Sequence, residues 1–70
     1  MTINIVLAEL IASRGLNQKE LAAMTGIRAS AISYLCRGYV DRICIDHIER
    51  IATALEITDI NEIIRLEATA

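Results

Sequence analysis

Three glycines punctuate this chain, at positions 15, 26 and 38, and its 70 residues contain no proline. Helices commonly close on a glycine, which takes the left-handed conformation without a Cβ penalty. The simplest parse is three helices that end just before these positions. Phe and Trp are absent too, 54% of the chain is hydrophobic, and thirteen residues are Ile. That composition favours helices over a turn-rich sandwich or barrel. Seventy residues make at most one domain, taken here as residues 1–70. So short a chain leaves little room for the sizeable pocket of a typical enzyme, and no activity, cofactor or small-molecule ligand is expected. No uncharged run exceeds eight residues, so no segment is expected to span a bilayer. No basic stretch leads into an apolar one, so no secretory signal is visible, and the expected location is the cytoplasm.

Periodicity places the elements. A first helix is expected over about residues 3–13, with Ile3, Val6, Leu7, Leu10 and Ile11 at helical spacing. A second starts at Asn17, which is able to cap it, with Glu20 three residues on to complete a capping box. Leu21, Ala22 and Met24 follow, and this helix stops at Thr25. A third covers about residues 29–36, with Ile32 and Leu35 as its inner pair. Residues 38–44 form a loop containing Tyr39, Val40, Asp41 and Arg42. A fourth helix, about residues 45–55, sets Ile48, Ile51, Ala52 and Leu55 on one face, with Asp46 and Glu49 early, where the helix dipole favours acids. A fifth, about residues 59–67 and capped by Thr58, carries Ile60, Ile63 and Ile64 on one stripe. The expectation is therefore an all-α domain of five helices.

Cys36 and Cys44 are too few for a disulfide framework and are read as reduced thiols. With His47 they supply three candidate ligands where structural zinc takes four, and no Cys-x-x-Cys pair exists, so no metal site is expected. His47 itself is read as a surface residue. The formal net charge is −2, but it is unevenly spread. Residues 14–42 carry Arg14, Lys19, Arg28, Arg37 and Arg42 against Glu20 and Asp41, a balance of +3, and the remainder carries −5. A local field of this kind recruits an anion even on an acidic molecule.

The short connection around Gly26 makes the second and third helices a helix-turn-helix unit, over about residues 17–37. Ala22 is small where the third helix crosses close to the second. Gly26 supplies the positive φ of the turn. Ile32 and Leu35 bury the inner face of the third helix and leave its outer face free for a groove. In the stretches Leu16-Asn17-Gln18-Lys19-Glu20-Leu21-Ala22, Thr25-Gly26-Ile27, Ile32-Ser33-Tyr34-Leu35 and Arg37-Gly38, the chain resembles the Cro/C1-type helix-turn-helix family of phage repressors and related bacterial regulators. Ile48, Ile51, Ala52, Leu55 and Ile57 resemble the segment that follows in that family. The ordered set runs over about residues 3–67.

The resemblance implies a lambda-repressor-like, five-helix DNA-binding domain. It also implies a small transcriptional regulator, a repressor of phage or mobile-element type, that reads double-stranded DNA with its third helix in the major groove. Carried over by position, Gln18 meets a backbone phosphate, with Lys19 beside the DNA. Arg28, Ala29, Ser30, Ser33 and Tyr34 face the groove, and Arg37 and Arg42 grip phosphate. Each has a plainer alternative: a solvated helix start for Gln18, an ion pair with Glu20 for Arg28 or Lys19, helix surface or local backbone bonding for the serines, a cover over Leu35 and the loop for Tyr34, and solvated loop charges for Arg37 and Arg42. Two departures from the family bear on reading. Arg28 stands where a capping Ser is usual, and Ala29 stands where Gln or Arg often reads a base. A methyl at that place is suited to a thymine methyl.

One such unit reads a half-site, so the resemblance also implies a homodimer on a palindromic operator. Ile60, Ile63, Ile64 and Leu66, crowded into the expected fifth helix, are more apolar surface than a small core takes up, and are read as the dimer interface. The competing function keeps the fold: a protein-interaction module, antirepressor or antitoxin-like, that reads little or no DNA. The missing reader at Ala29 and the acidic remainder of the chain favour it.

Overall fold

The computed structural model describes residues 1–38 and 40–68. Tyr39, assigned from sequence to the loop after the third helix, lies outside the described residues. The chain runs β1 (Thr2–Ile5), α1 (Leu7–Ser13), α2 (Gln18–Thr25), α3 (Ala29–Cys36), α4 (Ile45–Ala54), one turn of 3-10 helix (Ile60–Glu62) and β2 (Ile64–Glu67). Four helices and a two-stranded antiparallel sheet thus replace the five helices expected.

Both corrections fall at the ends of the chain, and they have one cause. Thr2-Ile3-Asn4-Ile5 and Ile64-Arg65-Leu66-Glu67 both alternate with period two, which suits a half-buried strand. They pair in the register Thr2↔Glu67, Ile3↔Leu66, Asn4↔Arg65 and Ile5↔Ile64. The first helix therefore starts at Leu7 rather than Ile3. Its entry residue Val6 offers no side-chain acceptor, and the Val6 amide instead donates to Ile63 O at 2.7 Å. At the other end Thr58 caps no helix. The Asp59 carboxylate accepts from Asn61 N at 2.9 Å, and the 3-10 turn it holds gives way to β2 after one residue, Ile63.

The helices between follow their local signals. Asn17 Oδ1 accepts from Glu20 N at 2.8 Å and Glu20 Oε1 accepts from Asn17 N at 3.1 Å, a complete capping box. α2 closes on Gly26 at φ +73°, with its amide on Ala22 O. α3 closes through Gly38 at φ +91°, where an added Cβ would lie 3.1 Å from Asn4 Oδ1. The Gly38 carbonyl then accepts from Ile5 N at 2.7 Å, which fastens β1 to the exit of α3. One core gathers Leu7, Leu10 and Ile11 of α1, Leu21 of α2, Ile32 and Leu35 of α3, Ile48 and Ile51 of α4, and Ile5 and Ile63 beside them. Two arginines tie helix ends together: Arg14 donates to Leu55 O at 2.7 Å, and Arg50 to Thr25 O at 3.3 Å.

The exit of α4 differs from the other ends. Glu56 takes φ +55° there, a conformation that costs an L residue about 1–2 kcal/mol. Glu56→Gly should therefore raise stability by up to about 1 kcal/mol, after the greater backbone entropy of glycine is counted. Gly26→Val sets a β-branched residue in the same region and should lower stability by more than about 1 kcal/mol. Thermal melts of the two variants should move in opposite directions, by about 4–8 °C per kcal/mol for a domain of this size.

Candidate nucleic-acid interface

α3 is eight residues long and divides cleanly by exposure. Ile32 and Leu35 are buried, Ala31 and Cys36 are half-buried, and Ala29, Ser30, Ser33 and Tyr34 are exposed. Ser30, Ser33, Tyr34 and Arg37 follow the i, i+3, i+4, i+7 spacing of one helix face. The face is built of small polar side chains with an aromatic and a cation at its C-terminal end. Its packing side rests mainly on α2, and more lightly on α1.

The turn that sets the angle between α2 and α3 is held by Thr25. Its buried hydroxyl donates to Leu21 O at 2.8 Å and accepts from the Ile27 amide at 3.2 Å. Arg50 supports the same turn from α4 through Thr25 O, while Asp46 accepts from Arg50 Nε at 2.8 Å. Sequence reasoning assigned neither Thr25 nor Arg50 a part in presenting α3. The signal for Thr25 was a hydroxyl in the last turn of a helix just before a glycine. Arg50 carried none, because its contact spans 25 residues.

Arg28 occupies the cap position of α3 with extended backbone, and its side chain gives the helix no capping bond. It is exposed, and it does not pair with Glu20, whose carboxylate is taken by the Asn17 amide. Among the described residues the ion pairs within 4.0 Å are Arg50–Asp46 and Arg65–Glu9. Lys19, Arg28, Arg37 and Arg42 are exposed cations, and among the described residues no carboxylate lies that close to them. Gln18 and Lys19 open α2, both exposed.

Tyr34 contacts both Arg37 and the loop that follows α3. The Arg37 guanidinium lies 5.7 Å from its ring centroid, and its hydroxyl accepts from the Asp41 amide at 3.3 Å. One side chain of α3 thereby steadies Arg37 and the loop that carries Arg42. Cation–π contact holds the guanidinium in place while leaving its donors free to meet an anion. His47, read from sequence as surface, is half-buried and lines an open recess with Gly26, Arg28, Asp46 and Arg50, next to the start of α3.

A family model described as the Cro/C1-type HTH DNA-binding domain matches residues 6–69. The chain belongs to that family. Its members are typically non-enzymatic, and the helix-turn-helix of this one is α2 and α3. No curated protein and no solved structure matches the chain. Among the described residues no helix is long and apolar enough to cross a membrane, and no three His, Cys, Asp or Glu side chains are grouped to hold a metal ion.

The expected dimer residues do not lie on one helical stripe. Ile63 is 1% exposed in the core and Ile64 is half-buried against it, whereas Ile60 and Leu66 are exposed on the 3-10 turn and on β2. The fifth helix expected to carry them is replaced by a 3-10 turn and a strand.

Two measurements check this geometry. Thr25→Val keeps the shape but strips the partner from the buried Ile27 amide, which should cost about 1–3 kcal/mol, while Thr25→Ser should keep most of that stability. Chemical denaturation of both variants reads the difference. Burial pushes the Cys36 thiol up from its ordinary pKa, whereas Cys44 is exposed. Limited alkylation at mildly alkaline pH should therefore label Cys44 well before Cys36, as mass mapping would show.

Proposed function

We propose that this protein is a small transcriptional regulator that binds a specific duplex sequence, a repressor of phage or mobile-element type. In this reading it acts in the cytoplasm as a homodimer on a palindromic operator. DNA binding follows from the family. The observation that carries the finer reading is the exposed face of α3, flanked by cations that pair with no carboxylate among the described residues. A face of that length and profile suits the major groove, which is about 12 Å wide. Ser30 and Ser33 meet base edges there, Ala29 sits against a thymine methyl, and Arg28 reaches a base or the adjoining phosphate. Gln18, Lys19, Arg37 and Arg42 contact phosphates and set the register of the helix, with Tyr34 holding the last two in place.

A second reading keeps the fold but makes α3 a protein-docking helix, as in an antirepressor or antitoxin-like partner. Ala29 favours it, since the side chain at that place has no hydrogen-bonding group. So does the −5 balance outside residues 14–42.

Fluorescence anisotropy on duplex DNA over a salt series separates the two. A DNA reader loses about 0.9 log units of affinity per log unit of salt for each phosphate neutralised. Arg37→Ala should weaken binding equally on all sequences and flatten that slope by about one unit. Arg28→Ala should cost about 1–3 kcal/mol and relax preference at one base pair if the contact is to a base. No salt-dependent binding to any duplex would favour the protein-docking reading.

A further inference from the structure

Two surface hollows bordered by described residues have mainly polar walls and differ in charge. One lies between α1 and the 3-10 turn, where Glu9 and Glu62 outweigh Arg65. The other is the recess of about 370 Å³ lined by Gly26, Ile27, Arg28, Asp46, His47 and Arg50. There Arg28 and Arg50 outweigh Asp46, and a protonated His47 adds a further positive charge. The first hollow suits no anion; the second does.

Its donors are arranged and largely unused. Arg50 is fixed on two sides, with Nε donating to Asp46 Oδ2 at 2.8 Å and Nη1 to Thr25 O at 3.3 Å. A Cβ added to Gly26 would lie 3.4 Å from that Nη1, so the guanidinium rests close against the turn. Its Nη2 has no partner among the described residues and keeps both hydrogens. Asp46 is engaged by Arg50, and Arg28 is an exposed cation paired with no carboxylate among the described residues. His47 is half-buried, yet it makes no hydrogen bond or ion pair with any described residue. A ring so placed loses part of its hydration without a protein partner in exchange, and an acceptor from outside would supply one.

We propose that this recess takes a phosphate group of the bound duplex, held by Arg28, Nη2 of Arg50 and a protonated His47, and that His47 thereby links DNA affinity to pH. The inference rests on the DNA-binding reading above. The recess borders the start of α3, and the first residues of a recognition helix are those that meet base edges. A phosphate row that flanks the groove therefore passes beside it. Arg28 then belongs with the phosphate contacts, and base reading falls to Ala29, Ser30 and Ser33. The charged groups that border His47 are Arg28 from the start of α3, and Asp46 and Arg50 from α4. A bound phosphate adds the negative charge that the two guanidiniums otherwise outweigh, and so favours the charged ring. Binding takes up a proton, and affinity rises as pH falls.

Fluorescence anisotropy on a short duplex of mixed sequence, in phosphate-free buffer at about pH 6 and about pH 8, tests the proposal, since imidazoles change charge between those values. The unaltered protein should bind about tenfold tighter at the lower pH, the effect of one charge-assisted hydrogen bond. Its salt dependence should also steepen there by about 0.9 log units per log unit of salt, the contribution of one phosphate. His47→Gln should show the higher-pH affinity and slope at both values, and His47→Arg the lower-pH behaviour at both. Circular dichroism should be unchanged in each, because His47 bonds to no other described residue. Equal affinity at the two pH values, or a pH effect that His47→Gln retains, would overturn the proposal and leave DNA binding intact. An absence of salt-dependent binding to any duplex would overturn the DNA-binding reading and this site with it. NMR of the His47 ring, unambiguous because the chain has one histidine, separates the sources of phosphate. Ring signals that move with inorganic phosphate, beside duplex binding that ignores pH, would overturn the duplex as the ligand and assign the recess to free phosphate.

Discussion

Burial of Ile32 and Leu35 under α3 is the interaction on which the presented face depends. α3 has eight residues, whereas isolated helices shorter than about 12–15 residues are marginal in water. Its first turn receives no side-chain cap, because Arg28 stands at the cap position. Local propensity therefore does not hold this helix; packing does. Each buried Ile or Leu contributes about 1.5–3 kcal/mol. Two of them amount to a large part of the net stability of a small domain, which runs at about 0.05–0.15 kcal/mol per residue. The small exposed residues of α3 are thus spared the duty of holding the helix in place. Ala29, Ser30 and Ser33 are free to be chosen for what they touch, and the cost of an uncapped helix start is offset from below.

The parts legible in the sequence are those whose causes are local. Asn17 and Glu20 lie three residues apart, and their reciprocal bonds form as that spacing implies. Gly26 ends α2 within the same turn that its positive φ requires. The split of α3 into buried and exposed faces follows from Ile32 and Leu35 alone. The termini were misread because two periodicities overlap there. Ile60, Ile63 and Ile64 fit a helix, while Ile64 and Leu66 fit a strand. Ile3, Val6 and Leu7 fit a helix, while Ile3 and Ile5 fit a strand. The choice is made by the pairing of Thr2–Ile5 with Ile64–Glu67, about sixty residues apart, and no window of the sequence contains both. The site shows the same boundary. The exposure of Arg37 was readable, but the bond from the Asp41 amide to Tyr34 depends on the path of a loop.

Charge placement explains how an acidic chain carries a basic face. Glu20, next to Lys19 in sequence, has its carboxylate turned to the Asn17 amide. Asp46 is paired with Arg50, and Glu9 lies 3.9 Å from Arg65. At physiological ionic strength, charges farther apart than about 8 Å are largely screened from one another when exposed. The formal −2 is therefore a poor guide to what a phosphate meets beside Arg28 or Arg37. The acids that produce it are concentrated on α4, the 3-10 turn and β2, and several already have a partner.

β1 connects the two ends of this arrangement. Its Ile5 amide holds the carbonyl that ends α3, and its neighbour Val6 holds Ile63 just before β2. Both bonds are 2.7 Å long and lie on successive residues. The exit of α3 and the edge of the sheet are thus separated by one strand, with no flexible loop between them. Gly38 permits this because any side chain there would press on Asn4. The strand that stands where a fifth helix was expected is therefore tied, through β1, to the exit of α3, so its effect reaches beyond fold class to the placement of the exposed helix.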